Sequence, residues 1–147
     1  MSEFRLHAVG SFFDIDNYLS HYSIDYSNIW HKGENSYLHS GLIKYLGNEF
    51  KLDMCEQEEI AVGYLRQNSD ALKALVRWEN VEAVILGMSP ELEVHAGIVS
   101  ICLSFSPILV SLAGEIGLEL AFYVRPSIAG DAYSYYEDEI PGAEENE

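Results

Sequence analysis

Basic residues are scarce in this chain: eight Lys and Arg stand against 24 Asp and Glu, a net charge of −16 over 147 residues. A field of that sign repels nucleic-acid phosphates and anionic lipid headgroups, so neither nucleic acid nor a membrane is expected as a partner. It speeds encounter with a basic protein, and it also serves plain solubility. Cysteine is scarcer still. Cys55 and Cys102 are too few for a disulfide framework, and Cys102, lying in an apolar run, is expected as a buried free thiol. No apolar stretch reaches about 18 residues without a charge or a breaker, which argues against a membrane-spanning helix. Met1-Ser2-Glu3-Phe4-Arg5 lacks the basic and apolar regions of a signal peptide, so a cytoplasmic location is expected.

What the chain does have is core material. Hydrophobic residues make up 48% and aromatics 12%, which is incompatible with a disordered protein. The charge is uneven: Asp131 to Glu147 holds seven acids and no Lys or Arg. The first 130 residues therefore carry −9, the −16 total less the tail's −7. One α+β domain over 1–130 is expected, followed by an acidic, Tyr-rich tail over 131–147 with partial disorder.

The clearest folding signal lies between Ile98 and Val124. Ile98 to Phe105 alternates as a strand, Ser106 is a good N-cap, and Pro107 suits the first helical position. Ile108, Leu109, Leu112 and Ile116 share one helical face, Gly117 is a natural left-handed C-cap, and Leu118 to Val124 alternates as the next strand. Arg125-Pro126 is expected to end it.

Earlier in the chain, Phe4 to Phe12 reads as a first strand and Asp14 as the cap of a helix over Ile15–Tyr22. Ile24 to Trp30 reads as irregular and extended, and Leu38 to Leu46 as a further strand. This opening succession echoes the closing strand–helix–strand unit. Helices are expected over Gln57–Gln67 and from Ser69 or Asp70 to Trp78, then a strand over Val81–Leu86, with a hairpin connection over Gly87–Gly97. The fold class is therefore α+β: a single mixed or antiparallel sheet covered by helices, with strand–helix–strand units at the two ends.

An opening strand ending in Gly10, then Phe13-Asp14-Ile15-Asp16, Ile24, Trp30-His31-Lys32-Gly33-Glu34, Ser40-Gly41 and a closing strand–helix–strand with Leu118 to Tyr123 form a recognisable series. Over roughly Leu6 to Val124 the chain resembles the family catalogued as domain of unknown function 4279. Tyr22 to Ser27 replaces the Gly-Ile-x-Pro-Thr stretch usual in that family, and Leu42 stands where a Trp is common. The resemblance implies a small bacterial protein without established catalytic residues. It also implies kinship with members that look like immunity proteins encoded beside secreted toxins.

Trp30-His31-Lys32-Gly33-Glu34 is the most unusual cluster. Trp30 and His31 would anchor a partner with Lys32 and Glu34 on the rim; alternatively Trp30 plugs the sheet edge while Gly33 makes a turn. In the tail, Tyr133, Tyr135, Tyr136, Glu137, Asp138 and Glu139 would dock on a basic groove, or are simply solvated.

No catalytic, metal or cofactor site is expected. His7, His21, His31, His39 and His95 are scattered, without zinc-ligand spacing. Asp14 beside Asp16 reads as a cap rather than half of an acid pair. Glu56, Glu58 and Glu59 read as solvated acids complementing a helix N-terminus. Ser104-Phe105-Ser106-Pro107 lacks the Gly-x-Ser-x-Gly pattern of a nucleophile turn.

The leading expectation is a non-enzymatic protein-binding domain, an immunity- or antitoxin-like inhibitor engaging a basic partner through acidic surface. The alternatives are a small-molecule-binding or enzymatic domain with a pocket near Trp30, His31 and Lys32, and a self-associating module using the edge of Leu38–Leu46.

Overall fold

A computed structural model describes residues 3–48, 51–94 and 102–128. The fold is α+β, built on one mixed five-stranded sheet with four helices. Strand β1 (Arg5–Gly10) is central, flanked by β3 (Ser40–Tyr45) and β4 (Ala83–Met88), both antiparallel to it. Strand β2 (Asn28–Trp30) closes the sheet beyond β3, and β6 (Glu119–Phe122) adds parallel to β4 at the other edge.

Alternation decides which face the helices cover. Phe4, Leu6 and Ala8 are fully buried, and the register sets Leu6 opposite Leu86 and Ala8 opposite Leu42 and Val84. Onto this apolar face come Ile15 and Tyr18 of α1 (Ile15–His21) and Ala61, Tyr64 and Leu65 of α2 (Met54–Gln67). Leu72 and Leu75 of α3 (Ser69–Arg77) and Leu109 and Ile116 of α4 (Pro107–Ile116) complete the core.

Helix boundaries follow local chemistry. Asp14 accepts from Asn17 N–H at 3.0 Å, and Ser106 Oγ from Leu109 N–H at 3.3 Å. Gly117 ends α4 at φ 96°, donating to Ala113 O. Helix α2 starts a turn before the expected Gln57, because Asp53 accepts from Glu56 N–H at 2.8 Å.

The chain's ends depart from the pattern reading. Residues 98–101 of the expected strand lie outside the described residues, and Cys102 to Phe105 is irregular rather than a strand. Phe105 instead stacks on Phe122 with ring centroids 4.0 Å apart, which accounts for its apolar character. Cys102 is exposed rather than buried, since no ladder holds it in the sheet.

The Gly87–Gly97 connection is not a plain hairpin loop. It contains β5 (Glu91–Val94), paired in parallel with β7 (Arg125–Ile128). Arg125-Pro126 therefore begins a strand instead of ending one. With one neighbour in its two-stranded ladder, β7 tolerates Pro126, whose missing donor can face away from the partner. The opening unit is β1–α1–β2; in the closing one, α4 and β6 stand where expected, while the strand that precedes α4 among the described residues is β5, not Ile98–Phe105.

Candidate functional site

One end of the sheet gathers the unusual residues. β1 finishes there at Gly10, paired with Ser40 at the start of β3, while Val9 faces Ala83 at the start of β4. The carbonyl oxygen of Asn80 approaches Gly10 so closely that a Cβ has no room. The chain then turns through Ser11-Phe12. Glu82 N–H donates to Val9 O at 2.9 Å, and Glu82 Oε1 accepts from Ser11 N–H at 3.1 Å. Because the turn reverses direction between adjacent residues, Phe13 enters the core at 3% exposure while Phe12 stands out at 74%.

The β2–β3 connection, His31 to His39, packs beside this turn. Trp30 pairs with Gly41 across the ladder, and a Cβ at Gly41 would sit 2.5 Å from Trp30 Cζ2, so glycine provides the seat for the indole. Trp30 Nε1–H donates to His39 Nδ1 at 3.1 Å. The connection is closed by Gly33 N–H to Tyr37 O (2.9 Å), Tyr37 N–H to Glu34 O (2.8 Å) and Lys32 N–H to Ser40 Oγ (2.8 Å). Gly33, Asn35 and Ser36 all take positive φ (93°, 47° and 64°), a costly conformation for the two non-glycine residues.

His31 ties this connection to α1. Its Nε2 lies 2.9 Å from Asp16 Oδ2 and its Nδ1 lies 3.1 Å from Glu34 Oε1. Both carboxylates are acceptors, so an imidazole that serves both must donate from both nitrogens, which only the protonated ring does. The hydrogen bond to Asp16, followed by the charges of Asp16 and Glu34, raises the His31 pKa above its ordinary value. Lys32 Nζ sits 4.5 Å from the centroid of the Phe12 ring.

Of the residues singled out from sequence, Trp30, His31, Lys32 and Glu34 are brought together here. Trp30 is half-buried over Gly41, with its N–H donated to His39. Tyr133, Tyr135, Tyr136, Glu137, Asp138 and Glu139 lie outside the described residues, as does the whole 131–147 tail.

The exposed apolar groups at this end are Phe12, Leu38 (81% exposed) and Tyr37, which sequence patterning passed over. One signal was present: of two adjacent phenylalanines after a turn glycine, only one can enter the core. Asp16 was missed as a partner because fifteen residues separate it from His31.

A surface depression of about 380 Å³ is lined by residues between Leu19 and Tyr26. Two other expectations change. The Leu38–Leu46 stretch is no free edge: β3 is paired on both sides, and among the described residues the sheet edges are β2 and β6. Glu58 is not merely solvated, for its Oε1 accepts from Ser106 N–H at 2.9 Å and joins α2 to the start of α4. Among the described residues, no group of three or more His, Cys, Asp or Glu side chains is arranged to hold a metal ion, and no helix is long and apolar enough to cross a membrane.

Comparison with family models, with curated proteins and with solved structures finds no match for this chain, so a functional reading of the site rests on its own geometry and charge.

Proposed function

We propose that this chain is a non-enzymatic protein-binding domain that docks a basic protein on the sheet end formed by Phe12, Lys32 and Leu38, acting as an immunity- or antitoxin-like inhibitor. One observation carries it: Phe12 and Leu38 project from an otherwise acidic end of the molecule, at 74% and 81% exposure. Lys32 is the sole Lys or Arg between residues 11 and 40, and with the protonated His31 it stands against Asp14, Asp16, Glu34 and Glu82 at this end, Asp25 being paired with Lys44 farther along β3. Apolar anchors within a charged rim are how interfaces divide affinity from steering. The rim's sign selects a cationic partner, and the −16 net charge extends that preference to long range.

The test uses the immobilised full chain and a Phe12→Ser, Leu38→Ser double variant, each challenged with soluble protein from the source cell at low and high salt. A basic protein should be retained by the wild type at low salt, released at high salt, and lost from the variant. Its own activity should fall when the chain is added back. Retention that ignores both salt and the double substitution refutes the proposal.

A further inference from the structure

Lys32 is placed oddly for a cation in so acidic a protein. Among the described residues it forms no ion pair, although Asp16 and Glu34 are close by in the fold; both are taken by His31. Its ammonium rests on the Phe12 ring at 4.5 Å from the centroid. That ring is largely in solvent. Glu82, bonded to the N–H of Ser11 beside Phe12, uses one carboxylate oxygen for that bond, and its Oε2 has no partner among the described residues. An exposed aromatic ring one residue along the chain from the N–H that anchors an open carboxylate supplies the two features a guanidinium recognises, a ring to stack on and a carboxylate to donate to.

We propose that Phe12 and Glu82 form a subsite for an arginine side chain of the docked partner, and that Lys32 is its intramolecular occupant in the free protein. This deepens the docking proposal above and rests on it. Arginine is favoured over lysine because its planar head can lie on the ring and still reach Glu82, whereas a lysine ammonium replaces Lys32 like for like. Lys32 then sets the threshold for binding: an incoming arginine must displace it, so weak or singly charged competitors are disfavoured.

The experiment is an NMR titration of the full-length protein with an oligo-arginine and an oligo-lysine peptide, following the Phe12 ring, Lys32 and Ser11 signals. Wild type should respond at these positions more strongly to arginine than to lysine. Lys32→Met should bind oligo-arginine about two- to five-fold more tightly, the range an exposed cation–π contact represents. Phe12→Leu and Glu82→Gln should each weaken binding and erase the local response.

Lys51→Met, at the opposite end of β3, makes the same change in net charge and should give a smaller gain. Equal gains from Lys32→Met and Lys51→Met, or Phe12→Leu binding like wild type, overturn the subsite while leaving docking on acidic surface intact. If neither peptide binds in a salt-dependent way, the docking proposal falls with it.

Discussion

Gln57 is the buried polar group on which the fold makes its sharpest demand. It is fully buried on α2, and its side-chain amide lies against the backbone of Ser89, just past β4, as a neighbouring strand would. Nε2 donates to Ser89 O at 2.8 Å and to Leu52 O at 3.2 Å, while Oε1 accepts from Ser89 N–H at 2.9 Å. Replacing Gln57 by Leu keeps the bulk but orphans Ser89 N–H, Ser89 C=O and Leu52 C=O. Each buried orphan costs about 1–3 kcal/mol, partly offset by the apolar gain of the new side chain, for a net loss of about 3–5 kcal/mol.

That is a large share of the ~5–15 kcal/mol typical of a domain. With a urea slope of ~2 kcal/mol/M, the unfolding midpoint should drop by about 2 M. Gln57→Glu adds a second, independent signature. When ionised, the introduced side chain would point a carboxylate at two carbonyl oxygens, so its folded-state pKa must lie above the unfolded value of ~4.3. The penalty of this substitution relative to wild type should therefore be full above the folded pKa and shrink as pH falls towards ~4.3, where the protonated acid regains a donor. Urea unfolding followed by circular dichroism at several pH values measures both. A Gln57→Leu loss below ~1 kcal/mol, or a Gln57→Glu penalty that is flat with pH, would refute the clamp.

At the sheet end, Gly41→Ala would press a Cβ on Ala8 O and set it 2.5 Å from Trp30 Cζ2, so it should strain the β1–β3 ladder, lift the indole from its seat at about 1–3 kcal/mol for overpacking, and break the bond to His39. An unchanged indole N–H resonance for Trp30 would show the seat to be unimportant. Because the His31 pKa is raised in the fold, its stabilising contribution is complete below the unfolded value of ~6.5 and is lost as pH rises through the higher folded value. Asp16→Asn removes the largest cause and should bring the His31 NMR titration down towards its ordinary position; an identical titration curve would place the cause elsewhere.

His31 illustrates how a candidate site is only half legible in a sequence. Trp30-His31-Lys32-Gly33-Glu34 stood out because its residues are adjacent, and Glu34 does bond to His31 three residues away. The other half came from α1 and the β1–α1 turn, through Asp16 and Phe12, and no local pattern pairs those with His31 and Lys32. Cys102 shows the converse: an apolar alternation predicts a strand, yet with no ladder over 102–105 the thiol is exposed.

Whatever depends on neighbours along the chain is legible in the residues alone. The caps at Asp14 and Ser106, the left-handed stop at Gly117, the alternation of Phe4, Leu6 and Ala8 and the anionic charge all follow from short-range sterics, hydrogen bonding and composition. It took the folded chain to show that β3 lies inside the sheet, that Pro126 sits in a ladder, that Gln57 grips Ser89 32 residues away, and that Phe12 faces solvent under Lys32. These depend on which strand edges meet and which buried donors must find acceptors. Such choices are made between distant segments when the core closes, and they leave no periodic trace in the residues that make them.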